Sequence, residues 1–277
     1  MLASLRELAH AAQRARTGLG AFNVIHLEHA TAFARAAERA GRPVVLQISE
    51  NAVKYHGALE PICLAMIAVA RAASVPVAVH LDHAEDTALV AEAVELGVSS
   101  VMYDGSRLSD EANRASTRAM VALCHAAGVD LEAELGEVGG KNGVHDPSAR
   151  TSPEDAAAFV AYTGVDLLAV AVGSSHAMTT RDAHLDEDLI RAIRTALSVP
   201  LVLHGSSGVS DDGMRVAIAA GMTKINVSTH LNQVFTGSVR DSLIADPTMV
   251  DSRRWMRPAR TAVEDESYRL LNLYDPR

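Results

Sequence analysis

Short apolar, β-rich runs alternate with Ala-rich stretches of helical periodicity along most of this chain. Runs of this kind, bounded by small loops, are typical of strands buried in a parallel sheet. The stretches between them carry apolar residues at the spacing of amphipathic helices. The predicted strands cover residues 21–24, 44–48, 77–81, 100–103, 130–134, 167–172, 201–203 and 224–227. The predicted helices lie near residues 28–40, 60–73, 87–96, 110–127, 153–162, 187–197, 211–220 and 231–244.

This alternation predicts parallel strands joined by helical crossovers. No linker or change of composition divides the chain, so a closed (β/α)₈ TIM barrel is favoured over an open doubly wound sheet. We expect residues 1–277 to form one α/β domain of this kind, with a tail of about residues 245–277 extending beyond the barrel. No Gly-x-Gly-x-x-Gly follows a predicted strand, which argues against a dinucleotide-binding protein.

Composition narrows the class of protein further. Hydrophobic residues make up 48% of the chain and charged residues 21%, as in a folded globular protein. The formal net charge of −9 leaves no basic surplus for nucleic-acid phosphates. No apolar run suggests a membrane span, and residues 1–12 resemble an amphipathic helix rather than a secretory signal. Cys63 and Cys124 fall in apolar helical patterns, so we expect reduced, buried thiols and a cytoplasmic protein.

Reactive side chains concentrate just after the predicted strands, where the active site of a (β/α)₈ barrel lies. His83, His176 and His204 follow predicted strands 3, 6 and 7. Neutral imidazoles from separate strands can converge on one ion and leave a position open for substrate, as in catalytic zinc sites. His80 shares a strand face with Asp82, so we expect it to point into the barrel and support the site.

Gly and Ser are dense after predicted strands 6, 7 and 8. Gly lets the backbone approach an anion, and N–H groups at strand-to-helix turns point at it, so these segments indicate a phosphate cradle. Tight turns alone would use the same residues. A cluster of arginines in the tail suits a solvated helix, a subunit contact or a phosphate contact. These arginines are Arg253, Arg254, Arg257 and Arg260.

Five blocks of sequence resemble the signature blocks of class II fructose-bisphosphate and tagatose-bisphosphate aldolases. They occur in the family's order between about residues 17 and 262, and the short chain resembles the tagatose (ketose-bisphosphate) branch. The blocks are HLDH at 80–83, SVMYDGS at 100–106, EAELG at 132–136, VLHGSSG at 202–208 and KINV at 224–227.

The resemblance implies a zinc-dependent lyase that cleaves a ketose (bis)phosphate reversibly to dihydroxyacetone phosphate and an aldehyde. Zn²⁺ would act as a Lewis acid on the ketose. Asp82 matches the acid that exchanges a proton with the substrate hydroxyl. Asp104 and Glu134 match a secondary cation position. The zinc ligands implied are His83, His176 and His204.

The resemblance also places the phosphorylated half of the substrate, with a monovalent cation such as Na⁺ or K⁺, at the ends of strands 6 to 8. Polar residues after strands 1 and 2 line the same pocket. The substrate-binding residues implied are Asn23, Ser49, Gly173, Ser175, Gly205, Ser207, Asn226, Ser228 and Thr229. We expect a homodimer or homotetramer that binds a small sugar phosphate.

Two departures from the family's pattern concern the substrate more than the metal. The loop after strand 5 carries Asn142 where the family has the Glu that moves a carbon-bound proton, and an amide has no useful basicity. Glu137, His145 or Asp146 could substitute, or this step is slow. Residues 177–179 read Ala-Met-Thr where the family usually has Gly-x-Tyr.

Several alternatives stay open. Fructose 1,6-bisphosphate, tagatose 1,6-bisphosphate and 5-dehydro-2-deoxyphosphogluconate are all compatible substrates. A Schiff-base aldolase would need a Lys at the rim, but Lys224 begins predicted strand 8, and Lys54 and Lys141 fall in predicted loops. A metal-dependent hydrolase would commonly carry a His-x-His pair on strand 1, which here ends in residues 22–24 without one. Asn142 is the only indication of a sugar-phosphate-binding protein with impaired catalysis.

Overall fold

A closed barrel of parallel strands forms the centre of the molecule. The computed structural model describes residues 1–135, 150–175 and 178–275. The strands follow one another in chain order, and the last pairs with the first to close the barrel, which confirms the predicted (β/α)₈ fold. In these residues the strands are β1 (Leu19–Asn23), β2 (Val44–Ser49), β3 (Val77–Ala84), β4 (Ser100–Tyr103), β5 (Asp130–Leu135), β6 (Leu167–Val170), β7 (Leu201–Leu203) and β8 (Met222–Val227).

Helices surround the barrel, and each predicted helix overlaps one of them. Side-chain caps explain several of their starting points: the hydroxyl of Ser152, for example, accepts a hydrogen bond from the N–H of Asp155. Across the described residues they are α1 (Leu5–Ala15), α2 (Leu27–Ala40), α3 (Glu50–His56), α4 (Glu60–Ala72), α5 (Thr87–Leu96), α6 (Asp110–Ala126), α7 (Pro153–Thr163), α8 (Glu187–Ala196), α9 (Asp211–Ala220), α10 (Thr229–Ala245) and α11 (Ser252–Leu273).

Two helices were not among the predicted ones. Helix α3 begins directly after β2, where the hydroxyl of Ser49 accepts a hydrogen bond from the N–H of Ala52. Helix α11 occupies the C-terminal tail and packs against α2 and α10. Its residues Ala259, Val263 and Leu270 are buried, so the tail contributes to the core of the molecule.

The two ends of the barrel interior differ in polarity. An apolar cluster fills the amino-terminal end, where Leu5 and Ala9 of α1 pack against Leu19, Val45 and Leu167 of the strands. Polar residues are buried toward the carboxyl ends of the strands. They include Gln47, His80, Asp82, Glu132, Glu134, Lys224 and Asn226. Because buried polar groups cost free energy unless they are paired, this end of the barrel indicates where function lies.

Two further predictions can be compared with the structure. Cys63 and Cys124 are buried free thiols, as expected. Within the described ranges, no single helix is long and apolar enough to cross a membrane, although α3 and α4, bent by 116° relative to each other, meet the length and composition test as a pair.

Candidate active site

A polar pocket of about 200 Å³ opens at the carboxyl ends of the strands. Ten of its lining residues are predicted site residues, contributed by the ends of strands β1, β2, β3, β7 and β8. These are Asn23, Ser49, Asp82, His83, His204, Gly205, Ser207, Asn226, Ser228 and Thr229. Gln47 and Asn51 also line the pocket, and the sequence reasoning missed both. A Gln inside an otherwise apolar strand was the available signal for Gln47.

Asp82 and His83 both face the pocket, although neighbours on a regular strand point to opposite faces. The register between β3 and β4 shifts between Leu81 and Ala84, and His83 has a φ of 51°. An extra residue in the left-handed conformation is one form of β-bulge, and such bulges re-aim side chains next to active sites. The bulge therefore brings a carboxylate and an imidazole to the same side of the strand.

Two imidazoles meet across the pocket. Nε2 of His83 lies 2.9 Å from Nδ1 of His204, with the rings edge to face and their centroids 4.6 Å apart. Nδ1 of His83 lies 3.1 Å from Asp104 Oδ2, and Nε2 of His204 lies 3.2 Å from Glu132 Oε1. An ionised carboxylate can only accept, so each carboxylate favours a proton on the outer nitrogen of its ring. When both rings are neutral, the inner nitrogens present lone pairs to the space between the rings.

Acidic groups around His83 set the electrostatics of the pocket. Burial disfavours a charged imidazole, but Asp82, Asp104 and Glu134 outweigh it and raise the pKa of His83 to about 9. Burial also opposes the ionisation of Asp82, yet the positive charge of His83 and neighbouring groups lowers the pKa of this carboxyl. The pocket therefore favours positive charge, which a proton or a metal cation can supply.

The side chains present suit a divalent metal ion. Asp82, His83 and His204 offer ligand atoms within 4.8 Å of one another, and so do His83, Asp104 and Glu134. Imidazole nitrogens combined with carboxylate oxygens form a donor set that Zn²⁺ accepts. Oδ1 of Asp82 is buried and has no hydrogen-bond partner among the described residues. A buried acceptor of this kind fits a site that is completed by a bound cation or substrate hydroxyl.

Asp82 is held by a small amide network. Its Oδ2 accepts hydrogen bonds from Gln47 Nε2 at 3.2 Å and from Asn23 Nδ2 at 3.4 Å. Gln47 Nε2 also donates to Asn23 Oδ1 at 2.8 Å, which ties β1, β2 and β3 together beside the pocket. These contacts use Oδ2 and leave Oδ1 of Asp82 available for chemistry.

Gly205, Ser207, Ser228 and Thr229 lie together at the opposite wall, as the phosphate-cradle prediction requires. Gly205 has a φ of +67°, and a Cβ there would lie 2.6 Å from the backbone of Ser175, so only Gly fits. The N–H of His230 in the first turn of α10 donates to Ser207 Oγ at 3.2 Å. A helix N-terminus beside a Gly/Ser turn is a suitable place for an anion.

Some of the remaining predicted residues lie near the pocket, and the others lie outside the described residues. Ser175 is buried beside Gly205, and Gly173 has a φ of +112°, but neither is among the pocket-lining residues. Asp104 and Glu134 have carboxylate oxygens within 4.8 Å of a ring nitrogen of His83, but they are not among the pocket-lining residues. The predicted third ligand and the predicted loop residues lie outside the described residues. They are Glu137, Asn142, His145, Asp146 and His176.

The lysines occupy positions that differ from those predicted. Lys224 is the third residue of β8 and is fully buried, with Nζ 2.8 Å from Glu132 Oε2; it does not line the pocket. Lys54 belongs to α3 rather than a loop and pairs with Glu50 at 2.7 Å. Lys141 lies outside the described residues. Neither described lysine has the rim position that a Schiff-base mechanism needs.

The arginine cluster of the tail lies at the start of α11. Arg253 pairs with Asp251 at 2.8 Å, and Arg254 pairs with Asp246 at 3.3 Å. These exposed contacts belong to the turn between α10 and α11. None of the four predicted arginines is among the pocket-lining residues.

The chain is similar over nearly its whole length to known aldolases. The family model described as fructose-bisphosphate aldolase class-II matches residues 3–275. Fructose-bisphosphate aldolase of Thermus caldophilus is 36% identical, over 96% of this chain and 95% of its own. The D-tagatose-1,6-bisphosphate aldolase subunit GatY of Klebsiella oxytoca is 34% identical, over 95% and 93%. The crystal structure of the YdjI aldolase from Escherichia coli K12 has a TM-score of 0.88 at 33% identity, covering 99% of this chain and 97% of that one.

Proposed function

Because the chain belongs to the class II fructose-bisphosphate aldolase family, we propose that it is a zinc-dependent lyase acting on a ketose (bis)phosphate. The reaction is reversible cleavage, as of fructose 1,6-bisphosphate or tagatose 1,6-bisphosphate, to dihydroxyacetone phosphate and an aldehyde. One observation carries the proposal: the inner nitrogens of His83 and His204 face each other beside Asp82 Oδ1, a buried acceptor without a described hydrogen-bond partner. Such an arrangement would put a metal and a base next to one substrate.

His83 and His204 would hold the metal, together with His176 by resemblance. When bound, the ion would supply Lewis-acid stabilisation of the negative charge that develops as the carbon–carbon bond breaks. Asp104 orients His83 through a hydrogen bond, and Asp104 and Glu134 together keep the local potential negative, which favours a divalent cation. The two carboxylates also stand as candidates for a secondary cation position.

Asp82 would move the hydroxyl proton. Positive charge beside it lowers the pKa of this carboxyl, which favours the ionised form. In the cleavage direction Oδ1 accepts the proton of the substrate hydroxyl whose carbon becomes the aldehyde, and in the condensation direction the same oxygen returns it. Asn23 and Gln47 hold Oδ2, so the carboxylate keeps its orientation through both directions.

A second proton transfer, to and from carbon, completes the reaction. Asn142 occupies the sequence position of the usual base and cannot serve. Glu137, His145 and Asp146 stand as candidates for this role, and each is an ionisable side chain in the segment between β5 and α7.

The phosphorylated half of the substrate would lie at the wall formed by β7 and β8. Gly205 and Ser207 supply a close backbone approach, and Ser228 and Thr229 open α10. Partial positive charge at this helix N-terminus favours a phosphate. By resemblance, Gly173, Ser175 and Asn226 extend the same subsite, and Na⁺ or K⁺ would bind there.

We infer a cytoplasmic enzyme that assembles as a homodimer or homotetramer. Two buried free thiols suit a reducing compartment, and the family resemblance supports the assembly. Fructose 1,6-bisphosphate, tagatose 1,6-bisphosphate and 5-dehydro-2-deoxyphosphogluconate remain alternative substrates, because the described pocket residues recognise the half that they share.

The test is a panel of ketose phosphates assayed with the zinc-loaded protein, following release of dihydroxyacetone phosphate. Cleavage of at least one ketose phosphate, lost on treatment with a chelator, supports the proposal. Binding of these sugars without cleavage, with metal present, would instead indicate a sugar-phosphate-binding protein. Trapping of a covalent adduct by borohydride would contradict the metal mechanism.

A further inference from the structure

A buried ion pair lies beneath the pocket, inside the barrel. Glu132 of β5 and Lys224 of β8 are both fully buried, and Lys224 Nζ lies 2.8 Å from Glu132 Oε2. His80 lies beside them, with Nε2 at 3.5 Å from Lys224 Nζ and Nδ1 at 2.8 Å from Ser100 Oγ. Burying two charges costs free energy that their mutual attraction often fails to offset. A role in the site would explain why the barrel retains the pair.

The second oxygen of Glu132 points to such a role. Oε1 lies 3.2 Å from Nε2 of His204, on the side of the ring opposite His83. A neutral imidazole carries one proton, on either Nδ1 or Nε2. With the proton on Nδ1, His204 would donate to His83 Nε2 and could not bind a metal there. With the proton on Nε2, it is held by Glu132, and the Nδ1 lone pair faces His83.

Asn226 also neighbours this nitrogen, with its Nδ2 3.1 Å from His204 Nε2. A side-chain amide offers both a donor and an acceptor, so Asn226 suits either tautomer of the imidazole. An ionised carboxylate only accepts. Glu132 therefore favours the tautomer with its proton on Nε2, and the ion pair with Lys224 holds the Glu132 carboxylate in place.

We propose that the Glu132–Lys224 pair fixes the tautomer and orientation of His204 so that Nδ1 faces the metal. The proposal rests on the metal site of the proposed function. Glu132 and Lys224 are positioning residues: neither lines the pocket, and both act through His204. A carboxylate that orients a metal-binding histidine typically changes metal affinity by about 10–100-fold.

Three variants separate positioning from simple packing: Glu132→Gln, Lys224→Met and the double variant Glu132→Gln/Lys224→Met. The measurements are the Zn²⁺ dissociation constant by chelator competition, the visible spectrum of the Co²⁺-loaded protein, and the urea unfolding of the metal-free protein. Glu132→Gln should bind Zn²⁺ about 10–100-fold more weakly and shift the Co²⁺ spectrum. Each single variant should unfold at lower urea than the unmodified protein, because it leaves one buried charge unpaired.

The double variant distinguishes a positioning role of the ion pair from a packing role. With both charges removed, the urea midpoint of the metal-free protein should return toward that of the unmodified protein, while Zn²⁺ affinity stays weakened. Asp166→Asn is the matched control, because it removes a buried carboxylate that accepts from Leu131 N–H and bonds His125 at the other end of the barrel. It should lower stability and leave Zn²⁺ affinity unchanged.

A double variant with unmodified Zn²⁺ affinity and an unchanged Co²⁺ spectrum would overturn the proposal and leave the pair as a structural feature. These measurements need no substrate, so they are independent of the cleavage assay. If the unmodified protein bound Zn²⁺ no more tightly than a His204→Ala variant, the metal site itself would be wrong, and both proposals would fail. Tight Zn²⁺ binding without cleavage would contradict only the proposed function.

Discussion

The backbone of His83 lies in the left-handed region, with a φ of 51°, and within the described part of the chain only Arg16 is another non-Gly residue with positive φ. This conformation costs free energy and persists where the surrounding structure enforces it. Here it belongs to the bulge that turns His83 and Asp82 to the same side of β3. The bulge thus brings the proposed metal-binding nitrogen of His83 and the proposed proton-accepting oxygen of Asp82 together from adjacent residues.

Replacing Asp82 with Asn removes the proposed proton acceptor and leaves both histidines in place. We expect kcat to fall by about 10²–10⁴-fold, while the content of bound zinc stays near that of the unmodified protein. Steady-state kinetics and metal analysis check this. Asp130→Asn removes a buried carboxylate at the amino-terminal end of β5 and should leave kcat unchanged. An Asp82→Asn protein with unmodified kcat would remove Asp82 from the mechanism.

The tight approach at Gly205 gives a second prediction. Gly205→Ala places a methyl group 2.6 Å from the Ser175 backbone at a φ of +67°. The wall that is proposed to receive the phosphate must move, so we expect a higher KM for a ketose phosphate and a lower melting temperature. Gly41→Ala is the control, since its φ is +62° but nothing lies within 4 Å of the added Cβ. It should cost about 1–2 kcal/mol of stability without changing KM. Equal effects of both variants on KM would contradict the close-approach explanation.

Many individual site residues could be predicted from the sequence, because polar residues directly after apolar strands are conspicuous. His83, His204 and Asp82 are of this kind. Gln47 and Glu132 were harder to assign, since they lie within strands and their roles depend on which residues face them across the barrel. The bulge at His83 depends on the pairing of β3 with β4, which no local pattern reveals.

Among the helices and strands, the regular β/α units followed the apolar pattern closely. Helix α3 was missed because its few residues, Glu50–His56, hold too little periodicity to stand out from a loop. Helix α11 was not assigned because it is largely polar and contains Pro258. Its place in the fold comes from packing on α2 and α10, which is a tertiary effect.

A contact between α10 and α11 predicts how stability changes with acid. Burial opposes the ionisation of Glu266, but hydrogen bonds from His230 and Arg269 lower its pKa from 4.5 to about 2. A carboxyl with a lowered folded-state pKa stabilises the fold above its unfolded pKa and loses this contribution as pH falls. We therefore expect Glu266→Gln to be less stable than the unmodified protein at pH 7, with the difference shrinking between about pH 4.5 and 2.

Urea unfolding at pH 7, 4 and 3 measures this difference. Asp265→Asn is the matched control in the same helix, because Asp265 pairs with Arg39 and both side chains are exposed, at 60% and 44%. Such exposed pairs contribute about 0–1 kcal/mol, so this variant should change little at any pH. A Glu266→Gln deficit that stays constant down to pH 3 would show that the lost contact is not the ionised carboxylate.

In the molecule as a whole, the two ends of the barrel differ in role: one contributes apolar packing, and the other carries the candidate site. Helix α1 and its apolar cluster seal the amino-terminal end, while the polar interior faces the pocket at the other. A metal that binds only the folded state stabilises it in proportion to its affinity and concentration. With zinc in about 100-fold excess over its dissociation constant, we expect a melting temperature roughly 5–10 °C above that of the chelated protein. In a His204→Ala variant, zinc should raise the melting temperature much less. A rise equal to that of the unmodified protein would show that the metal binds at another site.

The strongest test follows substrate cleavage as zinc is returned to the chelated protein. We expect dihydroxyacetone phosphate release from a ketose bisphosphate to be absent without metal, and to rise in proportion to added Zn²⁺ until about one equivalent is bound. The His204→Ala protein should stay inactive throughout. Full cleavage by the metal-free protein, or unmodified activity in the His204→Ala variant, would contradict a metal centre built on His83 and His204.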